Sequence, residues 1–221
     1  LTKEELARIA KSYGAAAIGT ARIEDILNGF PSLSRELTSG LHTGISVAVR
    51  LSGRILDEIT DRPTRLYFHH YRRLNHLLDL TAHSITALLL EDGYEAVPIP
   101  ASQTIDWQNQ TGHLSHKAIA VKAGLGWLGR NNLLVTPAWG AQVRLVTVLT
   151  DAEFDEDRMV ENDCGNCRAC VEVCPAGALG ETYRDYDRDG CLIKMKEMCK
   201  MAGIGHYICG ICVKACRGKK M

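Results

Sequence analysis

All nine cysteines of this 221-residue chain lie between residues 164 and 221, and residues 1–163 contain none. Their spacing constrains the chain more tightly than any other feature. Cys164-x2-Cys167-x2-Cys170-x3-Cys174-Pro175 fits the rule for thiolate ligation of [4Fe–4S] clusters, trailing proline included. A tight loop at x2 spacing lets three thiolates converge on three irons of one cube. The fourth, Cys174, is expected on the following helix, turned toward a second cluster. Gly165 gives the backbone the freedom to wrap a bulky anion. The second group, Cys209-x2-Cys212-x3-Cys216, is one member short, and either Cys191 or Cys199 can supply it. Crossed ligation is predicted. Cys164, Cys167, Cys170 and Cys216 would hold one cluster, and Cys174, Cys209, Cys212 and the added cysteine the other. Two zinc sites would also use eight thiolates, but zinc is usually held by separated cysteine pairs, and the spacing favours clusters.

The odd cysteine count suits no closed disulfide set, and no basic-then-apolar leader opens the chain, which starts at Leu1 without Met. A reducing cytoplasm is the expected location. Twenty-six basic residues balance twenty-six acidic ones, so neither a uniformly basic nucleic-acid binder nor an acidic tail describes the whole chain. No apolar run reaches the roughly 18–20 residues of a membrane span.

Upstream of the cysteines, helical and strand patterns mix. Thr2-Lys3-Glu4-Glu5 reads as a capping box ahead of Leu6, Ile9, Ala10 and Tyr13, with Gly14 as terminator. Residues 15–21 and 44–51 read as buried strands, with a loop rich in Gly, Pro and Ser between them. Tyr67 to Glu91 is the longest helical signal, closed by Gly93. Residues 94–99 form a short edge strand, 114–123 a second helix, and 132–136 and 143–150 strands. Residues 151–163 carry seven acidic groups against one Arg158 and are expected to be a solvated connector. Residues 164–221 carry ten basic and six acidic groups; Lys219-Lys220 is expected to be a solvated tail, with a basic docking surface as the alternative.

A glycine-rich block, Ala123-Gly124-Leu125-Gly126-Trp127-Leu128-Gly129-Arg130-Asn131-Asn132-Leu133-Leu134, fits the bare dinucleotide pattern. It follows a predicted helix and opens toward a strand, the wrong context for that fingerprint. Three glycines in six positions still imply a close backbone approach, to a cofactor or to another strand.

With the two cysteine groups, this block resembles epoxyqueuosine reductase, a cobalamin-dependent enzyme with two [4Fe–4S] clusters related to the reductive dehalogenases. The resemblance runs from about Tyr67 to Cys216. The composition break makes 151–163 an acidic linker between domains over 1–150 and 164–221, and the resemblance implies that these are an α/β corrinoid-reductase-like domain and a ferredoxin-like double [4Fe–4S] domain, an α+β architecture. The resemblance also implies that Cys191, after Asp187-Arg188-Asp189-Gly190, is the eighth ligand, leaving Cys199 free. Gly124, Gly126, Trp127, Gly129, Arg130 and Asn131 become the candidate cobalamin-binding residues, and Trp107, Trp127 and Trp139 could wall a flat macrocycle or simply pack.

Two departures from the family matter. Its Asp-Thr-Gly-Pro segment, whose Asp is the proton donor, aligns with Gln110-Thr111-Gly112-His113, and an amide cannot give up that proton. Family members also continue into a helical-repeat tRNA-binding region, whereas this sequence ends five residues after Cys216, which reads as a shortened paralogue. Candidate catalytic residues are therefore Gln110 itself, His113, His116 and Asp106. His113 is otherwise expected to cap the second helix, His69 and His70 to sit partly exposed, and Tyr71 to pack in a core. The expected function is an oxidoreductase: electrons from an external ferredoxin- or flavodoxin-type donor pass through two clusters to a cobalamin, which reduces a small molecule or modified nucleoside. A pure electron-transfer protein is the alternative. Autonomous tRNA binding is not expected from a chain of zero net charge.

Overall fold

The computed structural model describes residues 1–218; Lys219-Lys220 lies outside the described residues. The elements run α1 (Lys3–Ser12), β1 (Ala15–Arg22), α2 (Glu24–Leu27), α3 (Arg35–Thr38), β2 (Thr43–Arg50), α4 (Gly53–Asp57), α5 (Arg65–Glu91), β3 (Ala96–Ile99), α6 (His116–Lys122), β4 (Trp127–Leu128), β5 (Leu134–Val135), β6 (Val143–Thr150), α7 (Ala169–Glu172), α8 (Arg188–Ala202) and α9 (Ile211–Ala215), with one 3₁₀ turn at Tyr183–Asp185.

Contacts divide the chain into two units. The first comprises Leu1–Val49, Leu74–Leu125 and Arg144–Val160; the second comprises Arg50–Arg73, Gly126–Val143 and the chain from Glu161 onward. These units do not follow the contiguous cuts at 150 and 164 drawn from composition. Segments 50–73 and 126–143 fold with the cysteines, and 151–160 folds with the first unit. The acidic stretch is held there by its carboxylates and its apolar residues. Asp157 Oδ2 accepts from Thr20 N at 2.9 Å and from Lys3 Nζ, Asp155 O accepts from the Thr20 hydroxyl at 2.8 Å, and Ala152 and Phe154 join the core.

The first unit is built on a four-stranded sheet of order β1-β2-β6-β3. β1 and β2 are antiparallel with Ile18 opposite Val47, and β3 and β6 are antiparallel with Val97 opposite Leu149. β3 carries Pro98 at the sheet edge, where a missing N–H costs no ladder bond. Strand alternation sends Val146 and Val148 to one face and Leu149 to the other. The first face, with Ile45, Val47 and Val49, packs Leu6 and Ala10 of α1 and Leu78, Ala82, Ile85 and Leu89 of α5. The second packs Ile119 of α6 with Ile23, Leu41, Ile99 and Leu114. Helices thus cover both faces of the sheet. The α1 capping box forms in both directions: Glu5 N donates to Thr2 Oγ1, and Thr2 N donates to the Glu5 carboxylate. α6 begins after Ser115, whose hydroxyl accepts from Ala118 N, so the cap falls to Ser115 and not to His113.

In the second unit, β4 and β5 form a two-stranded hairpin with Trp127 opposite Val135. The strand expected over 132–136 shortens to two residues because Asn132 takes a left-handed backbone, φ 53°. α9 packs against α4 and α7. Gly210, at φ 84°, ends the loop after α8; a Cβ there would lie 2.8 Å from the Tyr67 ring.

Candidate functional site

The first cysteine run wraps a loop and one short helix. Gly165 adopts φ 49°, and its N–H donates to Asp163 Oδ1 at 2.6 Å. Cys167 N donates back to Cys164 O at 2.9 Å. Cys170 lies on α7, and Cys174 lies just past that helix, not on it, its N–H donating to Val171 O. The second group brackets α9: Cys209 precedes its cap, Cys212 is its second residue, and Cys216 closes it by donating to Cys212 O at 3.2 Å. Cys191 sits in the first turns of α8, its N–H on Asp187 O at 3.1 Å.

The electrostatics couple thiols of the first run to thiols of the second group. Burial pushes Cys170 up, and the charges of Cys164 and Cys167 push it further. Cys216 is pushed up to about 11 by burial, with Cys170, Cys164 and Cys167 adding to it. Cys209 is likewise pushed up to about 11 by burial, with Cys191, Cys174 and Cys199 adding to it. Cys212 is held far above the ordinary thiol range by burial and then by Cys209, Cys191, Cys170 and Cys174. Cys216 thus lies in the field of Cys164, Cys167 and Cys170, Cys209 in that of Cys191, Cys174 and Cys199, and Cys212 in fields from both groups. Thiols that resist ionisation because they are buried, with their neighbours adding to it, suit a polycationic group, which reverses the sign of that field. Among the described residues, no three ligating side chains close around a single-ion site. Cys199 is 1% exposed and tied to its own loop, its thiol donating to Ile208 O at 3.1 Å and accepting from Ile208 N.

The glycine block does different work from the cofactor cradle expected of it. A Cβ at Gly124 would lie 2.5 Å from Arg158 O, at Gly126 2.1 Å from Val135 O, and at Gly129 2.4 Å from Val135 Cγ2 and 3.5 Å from Cys164 Sγ. These glycines make room for the chain's own backbone and for the cysteine loop. Arg130 straps that loop: Nη1 donates to Cys167 O at 3.0 Å and Nη2 to Gly165 O at 3.1 Å, while Glu181 sits 3.5 Å from Nη2 and also pairs with Arg168. Trp127 Nε1, Arg130 Nε and Asn131 Nδ2 are buried donors without a partner among the described residues. Three such donors within five residues leave a need for acceptors that the protein itself does not supply.

The candidate catalytic residues all fall in the first unit. Asp106 closes its own loop, accepting from Gln108 N and Asn109 N at 2.9 Å and from Asn109 Nδ2 at 2.7 Å. Gln110 shares that loop, at φ 52°, and donates to Trp107 O. Trp107 is exposed. Both ring nitrogens of His116 are engaged, Nδ1 with the Thr147 hydroxyl and Nε2 with Pro100 O, each at 2.9 Å. That leaves no ring nitrogen of His116 for a substrate. His113 differs: its Nδ1 is buried without a hydrogen-bond partner among the described residues. His70 Nε2 accepts from Ser52 N, and Tyr71 packs against His206 in the second unit.

Two contacts escaped the sequence. Arg130 stood out only as part of the glycine block, and Tyr186 not at all. Tyr186 neighbours Cys191; burial, then that neighbour, keeps its phenol protonated well above the ordinary range.

Comparison with known proteins adds three findings. Residues 159–180 match the 4Fe-4S binding domain family. Epoxyqueuosine reductase of Bacillus cereus is 42% identical over 69 residues, which is 31% of this chain and 18% of that one. An epoxyqueuosine reductase structure with a tRNA-Tyr epoxyqueuosine-modified stem loop superposes over 97% of this chain and 64% of its own, at TM-score 0.62 and 20% identity. A reductive dehalogenase whose structure was used to argue a mechanism for B12-dependent dehalogenation superposes over 99% of this chain and 32% of its own, at TM-score 0.78 and 18% identity. The chain therefore spans less than two thirds of the length of each of these relatives. In its fold and in that shared stretch of sequence the chain is epoxyqueuosine reductase-like, and it carries a 4Fe-4S binding domain.

Proposed function

We propose that the chain is an oxidoreductase that holds two [4Fe–4S] clusters and passes electrons through them to a cobalamin, which reduces a substrate. The match of residues 159–180 to the 4Fe-4S binding domain family, with Cys216 in the field of Cys164, Cys167 and Cys170, carries the reading. Cys164, Cys167, Cys170 and Cys216 would hold one cluster, and Cys174, Cys191, Cys209 and Cys212 the other. When bound, the clusters supply one-electron transfer at low potential and the cobalamin the reducing centre. Arg130 fixes the Cys164–Cys167 loop through two carbonyls, which sets where those thiols point. Trp127 Nε1 and Asn131 Nδ2 are donors suited to the amide-rich edge of a corrin, so the block fits that group through these side chains and not through its glycines.

The substrate class suggested by the relatives' name is a modified nucleoside. Proton delivery cannot follow an Asp at position 110, where this chain has Gln. His113 Nδ1, buried without a hydrogen-bond partner among the described residues, is the atom proposed to move the proton. An external ferredoxin- or flavodoxin-type donor would supply electrons, in a reducing compartment that suits nine free thiols. Among the described residues, no helix is long and apolar enough to cross a membrane.

A second reading, an electron-transfer protein without substrate chemistry, draws on the self-satisfied bonding of Asp106 and His116 and on Gln110. Anaerobic purification with iron and sulfide counts, followed by titration with cobalamin under visible spectroscopy, separates the two. About eight irons with stoichiometric cobalamin binding is the expected result. Eight irons without cobalamin binding leaves the electron carrier, and zinc without sulfide overturns both.

A further inference from the structure

The turn between β4 and β5 sets Arg130 against the first cysteine run. Gly129 N donates to Leu133 O at 3.0 Å and Asn132 N to Gly129 O at 2.9 Å, which makes Arg130 the second residue of a closed turn. Gly129 lets the cysteines come near, since a Cβ there would lie 3.5 Å from Cys164 Sγ. From this base the Arg130 side chain, only 13% exposed, reaches the cysteine loop. Nη1 donates to Cys167 O at 3.0 Å and Nη2 to Gly165 O at 3.1 Å. A carbonyl oxygen lies within about 5 Å of its own residue's sulfur, so the guanidinium stands within about 8 Å of the Cys167 thiol. Nε is buried without a partner among the described residues. A buried donor of that kind is left for an acceptor that the protein does not supply, and cluster sulfurs are acceptors. Two carboxylates face the same loop. Glu181 lies 3.5 Å from Nη2 and is shared with Arg168, and Asp163 accepts from Gly165 N. Glu181 is 63% exposed and Asp163 is exposed too, so water screens both more than it screens the buried guanidinium.

We infer that Arg130 is a positioning residue for the cluster of the first cysteine run: its fork holds the carbonyls of Gly165 and Cys167, and its charge, fixed beside those thiols, raises that cluster's reduction potential. The inference rests on the [4Fe–4S] reading above, at the run that matches the 4Fe-4S binding domain family. A thiolate-held cluster carries one more negative charge after it takes an electron. A cation fixed nearby therefore stabilises the reduced form more than the oxidised one. No bond forms or breaks; the guanidinium changes only the driving force of the electron transfer. Arginine suits both tasks, because one planar group meets two carbonyls at once and carries a permanent charge. Lysine keeps the charge but is a point donor, so it separates the charge from the fork.

The test is an EPR-monitored redox titration of the anaerobic holoprotein, compared with Arg130→Gln and Arg130→Lys, with iron and sulfide counted in each. Arg130→Gln should displace one midpoint potential to a more negative value, and Arg130→Lys should restore most of that displacement. Unmoved midpoints in Arg130→Gln at wild-type iron content overturn the proposal. Equal displacements in the two variants place the effect in the fork and overturn the role given to the charge. If Arg130→Gln loses iron, Glu181→Gln takes its place, since it removes an exposed carboxylate that opposes the guanidinium. The same midpoint should then move positive, and no movement overturns the proposal. A wild-type protein that assembles no iron and sulfide overturns the [4Fe–4S] reading itself, and this inference with it; the wild-type count therefore tells the two failures apart.

Discussion

His116 carries its proton on Nε2, because the Pro100 carbonyl it meets can only accept, so Nδ1 takes the Thr147 hydroxyl hydrogen. Burial, with Arg144 adding to it against the opposing carbonyl, holds the ring's pKa down to about 4. The unfolded ring titrates near 6.5. The unfolded chain therefore binds a proton first as pH falls, and the stabilising contribution is complete above about pH 6.5 and lost progressively toward pH 4. His116→Gln should flatten that dependence and cost on the order of 1–2 kcal/mol at neutral pH. Hydrogen exchange of α6 amides between pH 7.5 and 5.5, corrected for intrinsic rates, reads both effects; an unchanged slope counts against this role. Cys191 and Cys199 make a second contrast on one helix. Cys191 lies in the field of Cys174, whereas Cys199 is bonded to the backbone of Ile208. Cys199→Ala should keep both clusters, and Cys191→Ala should lose about half the iron, as measured by iron and sulfide content. The match of residues 159–180 to the 4Fe-4S binding domain family was legible in the sequence, because that match rests on short local cysteine spacings. The Arg130 strap was not, because a hydrogen bond to a distant carbonyl follows no spacing rule.

At the scale of elements, periodicity and capping carried most of the architecture. α1 with its capping box, the long α5 closed by Gly93, and the edge strand β3 all follow from local patterns. The departures came where tertiary contact decides: β5 is cut short by the left-handed Asn132, and the glycines of the block answer to Arg158, Val135 and Cys164, none of which is a local neighbour. Gly126→Ala tests the tightest of these approaches, where the added carbon would meet Val135 O at 2.1 Å and force β4 away from β5. A loss of about 2–4 kcal/mol is expected, read as a lower denaturant midpoint with the cluster absorbance as probe. Gly53→Ala is the matched control. It opens α4, nothing lies within 4 Å of the added carbon, and alanine is the better helix former, so stability should hold or rise by up to about 1 kcal/mol. Equal losses at both positions would mean that space at Gly126 is not the controlling factor.

At the scale of the whole chain, the two units differ in what holds them. The first has cores on both faces of its sheet, with Leu6, Ile45, Val47, Leu78, Ile85, Leu89, Ile119 and Leu149 fully buried. It needs no metal to bury them. The second unit also has buried side chains, Leu56, Ile59 and Met198 among them, but it must additionally crowd eight thiols. Without iron, burial makes Cys209, Cys212 and Cys216 resist ionisation, and neighbouring thiolates add to it. Cluster binding supplies the missing counter-charge, so its free energy is folding free energy for the second unit alone. Anaerobic iron chelation should therefore strip hydrogen-exchange protection from α7, α8, α9 and the β4–β5 hairpin. Protection should persist in β2 up to Val49, in residues 74–91 of α5 and in β6 from Arg144 onward. The measurement is peptide-level exchange on the holo and chelated protein under the same buffer. Uniform loss would mean that the first unit also depends on the clusters. Retained protection in α7 and α9 would mean that apolar packing holds the thiols in place without them.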